Sequence, residues 1–395
     1  FLGIAYQLGS DFLPTARSFG AQIPQLHAKR PGLPVRDQHS HRPHFAEFGV
    51  VLMLFVIGLE LQPSRLWELR RPILGWGLAQ MLACTGVLFL AAWAFGFSWR
   101  VSLIAGMGLA LSSTAICLQV MAERNLMRTP SGQASFSILL FQDVAAIPIL
   151  ALIPILGAVK AANATHTDSH LWLQVLKTVG TIAAVVVGGR LLLRPLLRWI
   201  ARSRTPEIFT ATSLLLVVGI AMLMVQVGLS MALGAFLAGV LLADSEYRSE
   251  LETNIEPFKG LLLGLFFMAV GMSIDLDVVA NQPALIAGGV LALLLVKSLL
   301  LVAVGRLSGG LPWRSALMLG GVLAMGGEFG FVVFAEALKA GLIDAAIRDK
   351  LFVVIGLSMA ATPLALMAVS RWLQTHPEPK PQRAHDTIDD EHPRV

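Results

Sequence analysis

Three ionisable side chains, Asp143, Lys297 and Glu328, lie in the middle of long apolar stretches of the sequence. A charge inside the hydrocarbon of a membrane costs about 3 kcal/mol or more, so residues at such positions are functional candidates by default. The chemistry open to a buried carboxylate there is the exchange of a bound proton for a bound cation. These three residues are therefore the first candidates for a functional site.

Asp143 has the surroundings of a cation ligand. It follows Gln142, and Pro148 lies five residues later in the same apolar stretch. Proline has no backbone N–H and crowds the carbonyl four residues before it, here that of Val144, so this oxygen is free one residue from the carboxylate. We therefore interpret Gln142 and Asp143 as ligands of a monovalent cation. A buried Asp that is paired only for helix packing is the alternative.

Lys297 lies within the apolar stretch 291–304, too deep for its ammonium to reach the membrane surface. The ammonium needs a partner. We expect the carboxylate of Asp143 or the amide of Gln142 to provide it, if the two helices touch. A purely structural ion pair is the alternative.

Two apolar stretches are interrupted by residues that favour a break in a helix. The first contains three consecutive hydroxyl residues, Ser112, Ser113 and Thr114. These hydroxyls compete for backbone hydrogen bonds, and we count them among the candidate ion ligands. The second contains five glycines between residues 320 and 330, including Gly326 and Gly327 beside Glu328, and glycine weakens a helix. Close-packing faces rich in small residues are the alternative for either stretch alone.

The composition predicts an all-α polytopic membrane protein, since 55% of the 395 residues are hydrophobic and only 14% are charged. The net charge of +5 comes from short connectors between apolar runs, so it indicates membrane topology and not nucleic-acid binding. The apolar runs predict about eleven spans: 46–62, 73–96, 101–121, 134–157, 172–193, 209–227, 229–243, 260–273, 283–304, 315–337 and 351–372.

The two interruptions fall in the middle helices of two three-helix units, 73–157 and 283–372. Alternate connectors are rich in arginine and are therefore predicted to be cytoplasmic, as is the C-terminus. The two units then cross the membrane in opposite directions. Such inverted repeats, each with a discontinuous helix, are typical of secondary transporters with a site at the bilayer midplane.

Other kinds of chemistry find no support in the sequence. It contains no GxxxxGK[ST] phosphate loop and no HExxH or GxSxG hydrolase motif. Cys84 and Cys117 lie far apart, without the spacing of metal ligands. A potassium channel would need a filter loop similar to TVGYG, which is not visible, but a gated channel remains an alternative function.

Several long segments resemble one family. They are HFAEFGVVLMLFVIGLEL from His44, ALSSTAICLQVM from Ala110, LLFQDVAAIP from Leu139, LGAFLAGVLLADSEYR from Leu233 and IEPFKGLLLGLFFMAVGMSIDL from Ile255. These segments closely resemble the glutathione-gated potassium efflux antiporters, the Kef systems, of the monovalent cation:proton antiporter (sodium/hydrogen exchanger) superfamily.

The resemblance implies a fold, a site and a function. It implies two crossing, partly unwound helices around 112–115 and 326–328. It also implies a Gln–Asp carrier pair that matches Gln142 and Asp143, and a core lysine that matches Lys297. The function expected is exchange of a monovalent cation, potassium first, for protons across a bacterial inner membrane, by a homodimer. Sodium in place of potassium, and a fragment inactive in transport, are the alternatives.

The resemblance also predicts the domain limits. Residues 1–43 are expected to be a disordered segment foreign to the family, 44–373 the transport domain without the family's first two helices, and 374–395 a linker to a nucleotide-binding regulatory domain. No cofactor is expected in this chain, because the nucleotide and glutathione sites belong to that domain. The predicted loop 244–259 resembles the one that receives the regulatory domain, and an ordinary solvated loop is the alternative. Its charged residues are Glu246, Arg248, Glu250, Glu252 and Glu256.

Overall fold

The structure is a computed structural model that describes residues 43–61, 70–165, 176, 179–189, 191, 206–243, 245–246, 248–274 and 276–375. The chain divides into two units, Phe1–Phe45 and Ala46–Val395, and the long apolar helices lie in the second. The predicted segments 1–43 and 374–395 lie outside the described residues except at their inner ends.

Every regular element in the described part of the chain is a helix. The helices are α1 (Pro43–Glu60), α2 (Leu78–Ala94), α3 (Trp99–Ala110), α4 (Thr114–Glu123), α5 (Pro130–Thr165), α6 (Val179–Gly189), α7 (Pro206–Gln226), α8 (Met231–Ala243), α9 (Arg248–Ser273), α10 (Leu276–Asn281), α11 (Pro283–Leu307), α12 (Trp313–Leu323), α13 (Glu328–Lys339) and α14 (Ala345–Thr375). A short α-helical turn, Arg70–Pro72, and a π-helical turn, Ile73–Gly77, lead into α2.

Five helical stretches among the described residues are long and apolar enough to cross a membrane, and a bent pair of helices can supply a sixth span. The five stretches are Arg70–Ala94, Trp99–Glu123, Pro130–Gly157, Pro283–Leu307 and Ala345–Trp372, and the bent pair is α12 with α13. A multi-pass helical membrane protein is therefore confirmed. The total of eleven spans stays a prediction.

The long apolar helices follow from the need of a membrane segment to satisfy its backbone groups internally. Helix α11 shows how the sequence sets the limits. Pro283 stands at its start, where the missing N–H costs no hydrogen bond. At its end the Arg306 guanidinium donates to the carbonyl of Leu311 at 2.8 Å, and Gly310 adopts a positive φ of 58° in the turn that leads to α12.

The two three-helix units, 73–157 and 283–372, share one arrangement of helices. Helix α2 and the broken pair α3 and α4 precede α5, and helix α11 and the broken pair α12 and α13 precede α14. Small residues bring each hairpin together: a Cβ on Gly106 would lie 2.7 Å from the Thr85 carbonyl oxygen, and one on Gly320 would lie 2.8 Å from that of Ser298. The predicted discontinuous middle helix is present in both units. Their opposite orientation in the membrane stays a prediction.

The predicted loop 244–259 is wrong from Arg248 onward, because α9 begins there and continues to Ser273. Its charged residues recur at helical spacing: Arg248 and Glu252, four residues apart, form an ion pair of 3.0 Å. The Nε of Arg248 also donates to the carbonyl of Leu59 at 3.3 Å, near the end of α1. Glu246 is exposed in the turn before α9, and the side chains of Glu250 and Glu256 lie outside the described residues.

Candidate functional site

The first broken helix opens at the three hydroxyl residues. Helix α3 ends at Ala110, Leu111 and Ser113 have extended backbone, and α4 begins at Thr114. The Ser113 hydroxyl accepts a hydrogen bond from the N–H of Ile116 at 3.3 Å, so it caps α4. The break predicted at these residues is confirmed.

The second broken helix opens at the glycines. Helix α12 ends at Leu323, α13 begins at Glu328, and the two are bent by 45°. The Gly326 N–H, freed by the break, donates to the hydroxyl of Ser358 at 3.0 Å, and Ser358 is fully buried on α14. The discontinuity predicted at Gly326, Gly327 and Glu328 is confirmed.

The two breaks touch each other. A Cβ on Gly327 would lie 2.7 Å from the carbonyl carbon of Ser112 and 2.8 Å from its oxygen, so only glycine permits this approach. The hydroxyl of Ser112 donates to the carbonyl of Leu323 at 2.8 Å, and the thiol of Cys117 donates to that of Val322 at 3.2 Å. The unwound segments therefore form a single crossing.

Lys297 joins the two breaks. Its side chain is 0% exposed, and its Nζ donates to the carbonyls of Leu111 at 2.8 Å and Met325 at 2.6 Å and to the hydroxyl of Ser112 at 3.0 Å. These carbonyls follow the C-terminal ends of α3 and α12, where the helix dipoles concentrate negative charge. The expected partners, Asp143 and Gln142, are not among these acceptors. The reason is that the breaks leave carbonyl oxygens without helical partners next to Lys297. These two carbonyls and the Ser112 hydroxyl accept all three N–H groups of the ammonium.

Gln142 is tied to the first break. Its Oε1 accepts from the Ser112 N–H at 2.8 Å, and its Nε2 donates to the Oε1 of Gln80 at 2.8 Å and to the carbonyl of Ala110 at 3.3 Å. Gln80 in turn donates to the same carbonyl at 3.1 Å. The sequence alone did not point to Gln80 or Ser358. Gln80 is an uncharged polar residue in an apolar stretch, and a search for buried amides as well as charges would have found it.

The structure brings Asp143 and Thr114, two of the candidate ion ligands, into contact. Asp143 is 6% exposed, and its Oδ1 accepts a hydrogen bond of 3.0 Å from the hydroxyl of Thr114, the first residue of α4. Pro148 lies inside α5 without ending it. The carboxylate thus lies beside the N-terminal end of a half-helix, where the dipole favours negative charge.

Glu328 lies at the same crossing. It is 2% exposed and is the first residue of α13, and its carboxylate interacts with the Ser113 hydroxyl and the backbone N–H groups of Thr114 and Ala115. Its Oε2 is buried without a hydrogen-bond partner within the described part of the chain. The acidic groups thus face the N-terminal ends of half-helices, and Lys297 faces the C-terminal ends.

The ligand atoms available at the crossing are oxygens from carboxylates, hydroxyls and backbone carbonyls. Such a set suits a hard monovalent cation or a proton. Among the described residues, no three His, Cys, Asp or Glu side chains are grouped as a metal ion would require. The arrangement can therefore hold an ion that has left its water.

These features define the class of protein. A multi-pass helical membrane protein, in which two broken helices cross over buried charges, has the architecture of secondary transporters that bind their substrate within the membrane.

The family follows from the sequence. The model of the family "Sodium/hydrogen exchanger, transmembrane" matches residues 28–372, and the chain belongs to this family. The predicted family is thereby confirmed.

Curated relatives extend the comparison. The chain is 49% identical over 352 residues to "Glutathione-regulated potassium-efflux system protein KefC" of Escherichia coli O6:K15:H31 and of Escherichia coli O17:K52:H18. The aligned region covers 89% of this chain and 56% of each relative, so the chain spans about half the length of these relatives.

A solved structure agrees on the fold. The sodium proton antiporter MjNhaP1 of Methanocaldococcus jannaschii matches with a TM-score of 0.53 over 84% of each chain, at 17% sequence identity. The fold is thus an α-helical membrane antiporter fold.

Proposed function

We propose that this chain exchanges potassium for protons across a bacterial inner membrane, with Asp143 as the carrier of both ions. The observation that carries the proposal is the buried Asp143 carboxylate, held by Thr114 at the point where two unwound helices cross. Potassium is the first candidate because the relatives are named as a potassium-efflux system. The homodimer and the cytoplasmic C-terminus belong to the proposal as well.

Exchange follows if Asp143 binds either a proton or a cation and never both. A bound cation needs the charged carboxylate, together with oxygens such as those of Thr114, Ser112, Ser113 and Gln142. A proton on the carboxylate neutralises its negative charge. A cation that has lost its hydration shell needs that charge, so the cation must leave. Net transport then requires that this site open in turn to the two sides of the membrane.

Proteoliposomes that enclose a pH-sensitive dye test the proposal. We expect a potassium pulse to drive proton movement in the wild type and not in Asp143→Asn, which keeps the size of the side chain but cannot exchange a proton. Asp344→Asn is a matched control, because Asp344 is exposed and caps α14 through the N–H of Ile347, and asparagine caps a helix equally well. Unchanged exchange by Asp143→Asn would contradict the carrier role.

The same vesicles separate the alternatives. Sodium pulses compare the two ions directly, which is of interest since the structural neighbour is a sodium proton antiporter. Cation flux that is faster than carriers allow and indifferent to the proton gradient would indicate a channel. A chain that folds but shows no cation or proton movement would indicate a segment that is inactive in transport by itself.

A further inference from the structure

Gln80 lies on α2 and contacts the end of α3 at the first break. Its side chain is 0% exposed, and both ends of its amide are used. The Nε2 donates to the carbonyl of Ala110 at 3.1 Å, and the Oε1 accepts from Gln142 at 2.8 Å. We infer that Gln80 is a positioning residue of the cation site, acting through the amide of Gln142. This inference rests on the proposed function.

Gln80 helps to hold the Gln142 amide in the orientation that the break requires. A side-chain amide has one acceptor end and one donor end. The Ser112 N–H, freed by the break, needs the acceptor end, so the NH₂ group of Gln142 must point away from it. The Oε1 of Gln80 gives that NH₂ group a buried acceptor. Without Gln80, the NH₂ group of Gln142 keeps only its longer bond of 3.3 Å to the Ala110 carbonyl, so the amide is held less firmly against the Ser112 N–H.

The break in turn positions the proposed carrier. Gln142 is the neighbour of Asp143 on α5, and Ser112 lies two residues before Thr114. The Ser112–Gln142 bond of 2.8 Å and the Thr114–Asp143 bond of 3.0 Å therefore join the same two segments side by side. A change in the first bond shifts the second, which involves a ligand of the cation.

The local backbone supports this arrangement. A π-helical turn, Ile73–Gly77, precedes α2, and such turns are frequent at functional sites. A Cβ on Gly77 would lie 2.1 Å from the Cβ of Phe141, so glycine lets the π-helical turn come directly against the residue before Gln142. Gln80 follows three residues later, in the first turn of α2.

The test compares the cation dependence of exchange with its maximal rate. Gln80→Met is close to glutamine in volume and removes both hydrogen-bonding ends. We expect it to raise the KM for potassium about tenfold, the effect of losing one to two hydrogen bonds, with a much smaller change in kcat. Gln119→Met is the matched control: Gln119 is exposed and its amide bonds Glu123, so both constants should stay at wild-type values.

A double-mutant cycle separates positioning from general packing. If Gln80 acts through Gln142, the double variant Gln80→Met, Gln142→Met should have nearly the KM of Gln142→Met alone. An unchanged KM in Gln80→Met, or losses that simply add in the double variant, would overturn the inference. Should Gln80→Met fail to fold, Gln80→Asn provides the test, because its amide is one methylene too short to reach Gln142 and the same rise in KM is expected.

A binding measurement keeps this inference distinct from the proposed function. Potassium that binds the folded protein raises its melting temperature, and the potassium concentration that gives half of this rise should shift about tenfold in Gln80→Met. Absence of exchange in the wild type would contradict the proposed function alone. A wild-type potassium dependence of the melting temperature in Gln80→Met would contradict the positioning role alone.

Discussion

Replacing Gly327 by alanine should push the two broken helices apart. The backbone of Gly327 is extended, with φ −122° and ψ 162°, which alanine adopts without strain. The added Cβ, however, would lie 2.7 Å from the carbonyl carbon and 2.8 Å from the carbonyl oxygen of Ser112. Since both atoms are backbone, neither can rotate away, and the effect of the substitution is a steric one at the crossing.

The size of the effect follows from the hydrogen bonds of Lys297. The Cβ of the new alanine would lie 2.7 Å from the Ser112 carbonyl carbon, whereas ordinary contact begins at 3.4 Å. The two breaks must therefore move apart by about 0.7 Å. Lys297 spans it, with bonds of 2.8 Å to Leu111 and 2.6 Å to Met325. Losing one such charged hydrogen bond costs about 1.5–3 kcal/mol, and overpacking costs about 1–3 kcal/mol. We expect the free energy of unfolding to fall by about 2–4 kcal/mol if these costs overlap in part.

Thermal unfolding in detergent and exchange in proteoliposomes measure the result, with two other glycines as controls. Gly288→Ala introduces a methyl group on α11 with nothing within 4 Å, so it should be neutral. In Gly326→Ala the nearest atoms belong to the side chain of Ile355, at 3.0 Å, which can move, so the effect should be intermediate. Gly327→Ala should lower both the melting temperature and the exchange rate most. Wild-type values for Gly327→Ala, or an equal loss in Gly288→Ala, would refute the close crossing.

Two further substitutions test the groups that satisfy the breaks. Ser358→Ala leaves the buried Gly326 N–H without its acceptor, so the protein should lose about 1–3 kcal/mol of stability; an unchanged melting temperature would show that this contact contributes nothing. Lys297→Gln removes the ammonium from the Leu111 and Met325 carbonyls, so we expect a lower melting temperature in detergent. Because neither carbonyl belongs to Asp143, potassium should not offset that loss, and an offset by potassium would favour direct pairing with Asp143.

The local features of the site could be predicted from the sequence. Three hydroxyl residues in a row and a cluster of glycines predicted the two breaks, because both weaken a helix wherever it lies. The burial of Asp143, Lys297 and Glu328 followed from their apolar surroundings. These properties depend on residues next to each other in the chain.

The partners across the crossing could not be predicted in the same way. The sequence predicts Asp143 or Gln142 as the partner of Lys297, but the structure supplies the carbonyls of Leu111 and Met325, and their position depends on how the two broken helices cross. Gln80 carries no charge and belongs to no motif, so its role emerged only from its place beside Ala110 and Gln142. Contacts between distant segments set these features.

Proton release on cation binding shows whether Asp143 carries both ions. The detergent-solubilised protein is titrated with potassium in weakly buffered solution, and the released protons are counted against bound cation. If Asp143 holds either ion but never both, about half a proton should appear per cation bound at the pH at which the free site is half protonated, the ratio should rise towards one as the pH is lowered, and Asp143→Asn should release none. Potassium binding to the wild type at every pH without proton release would contradict the carrier role of Asp143.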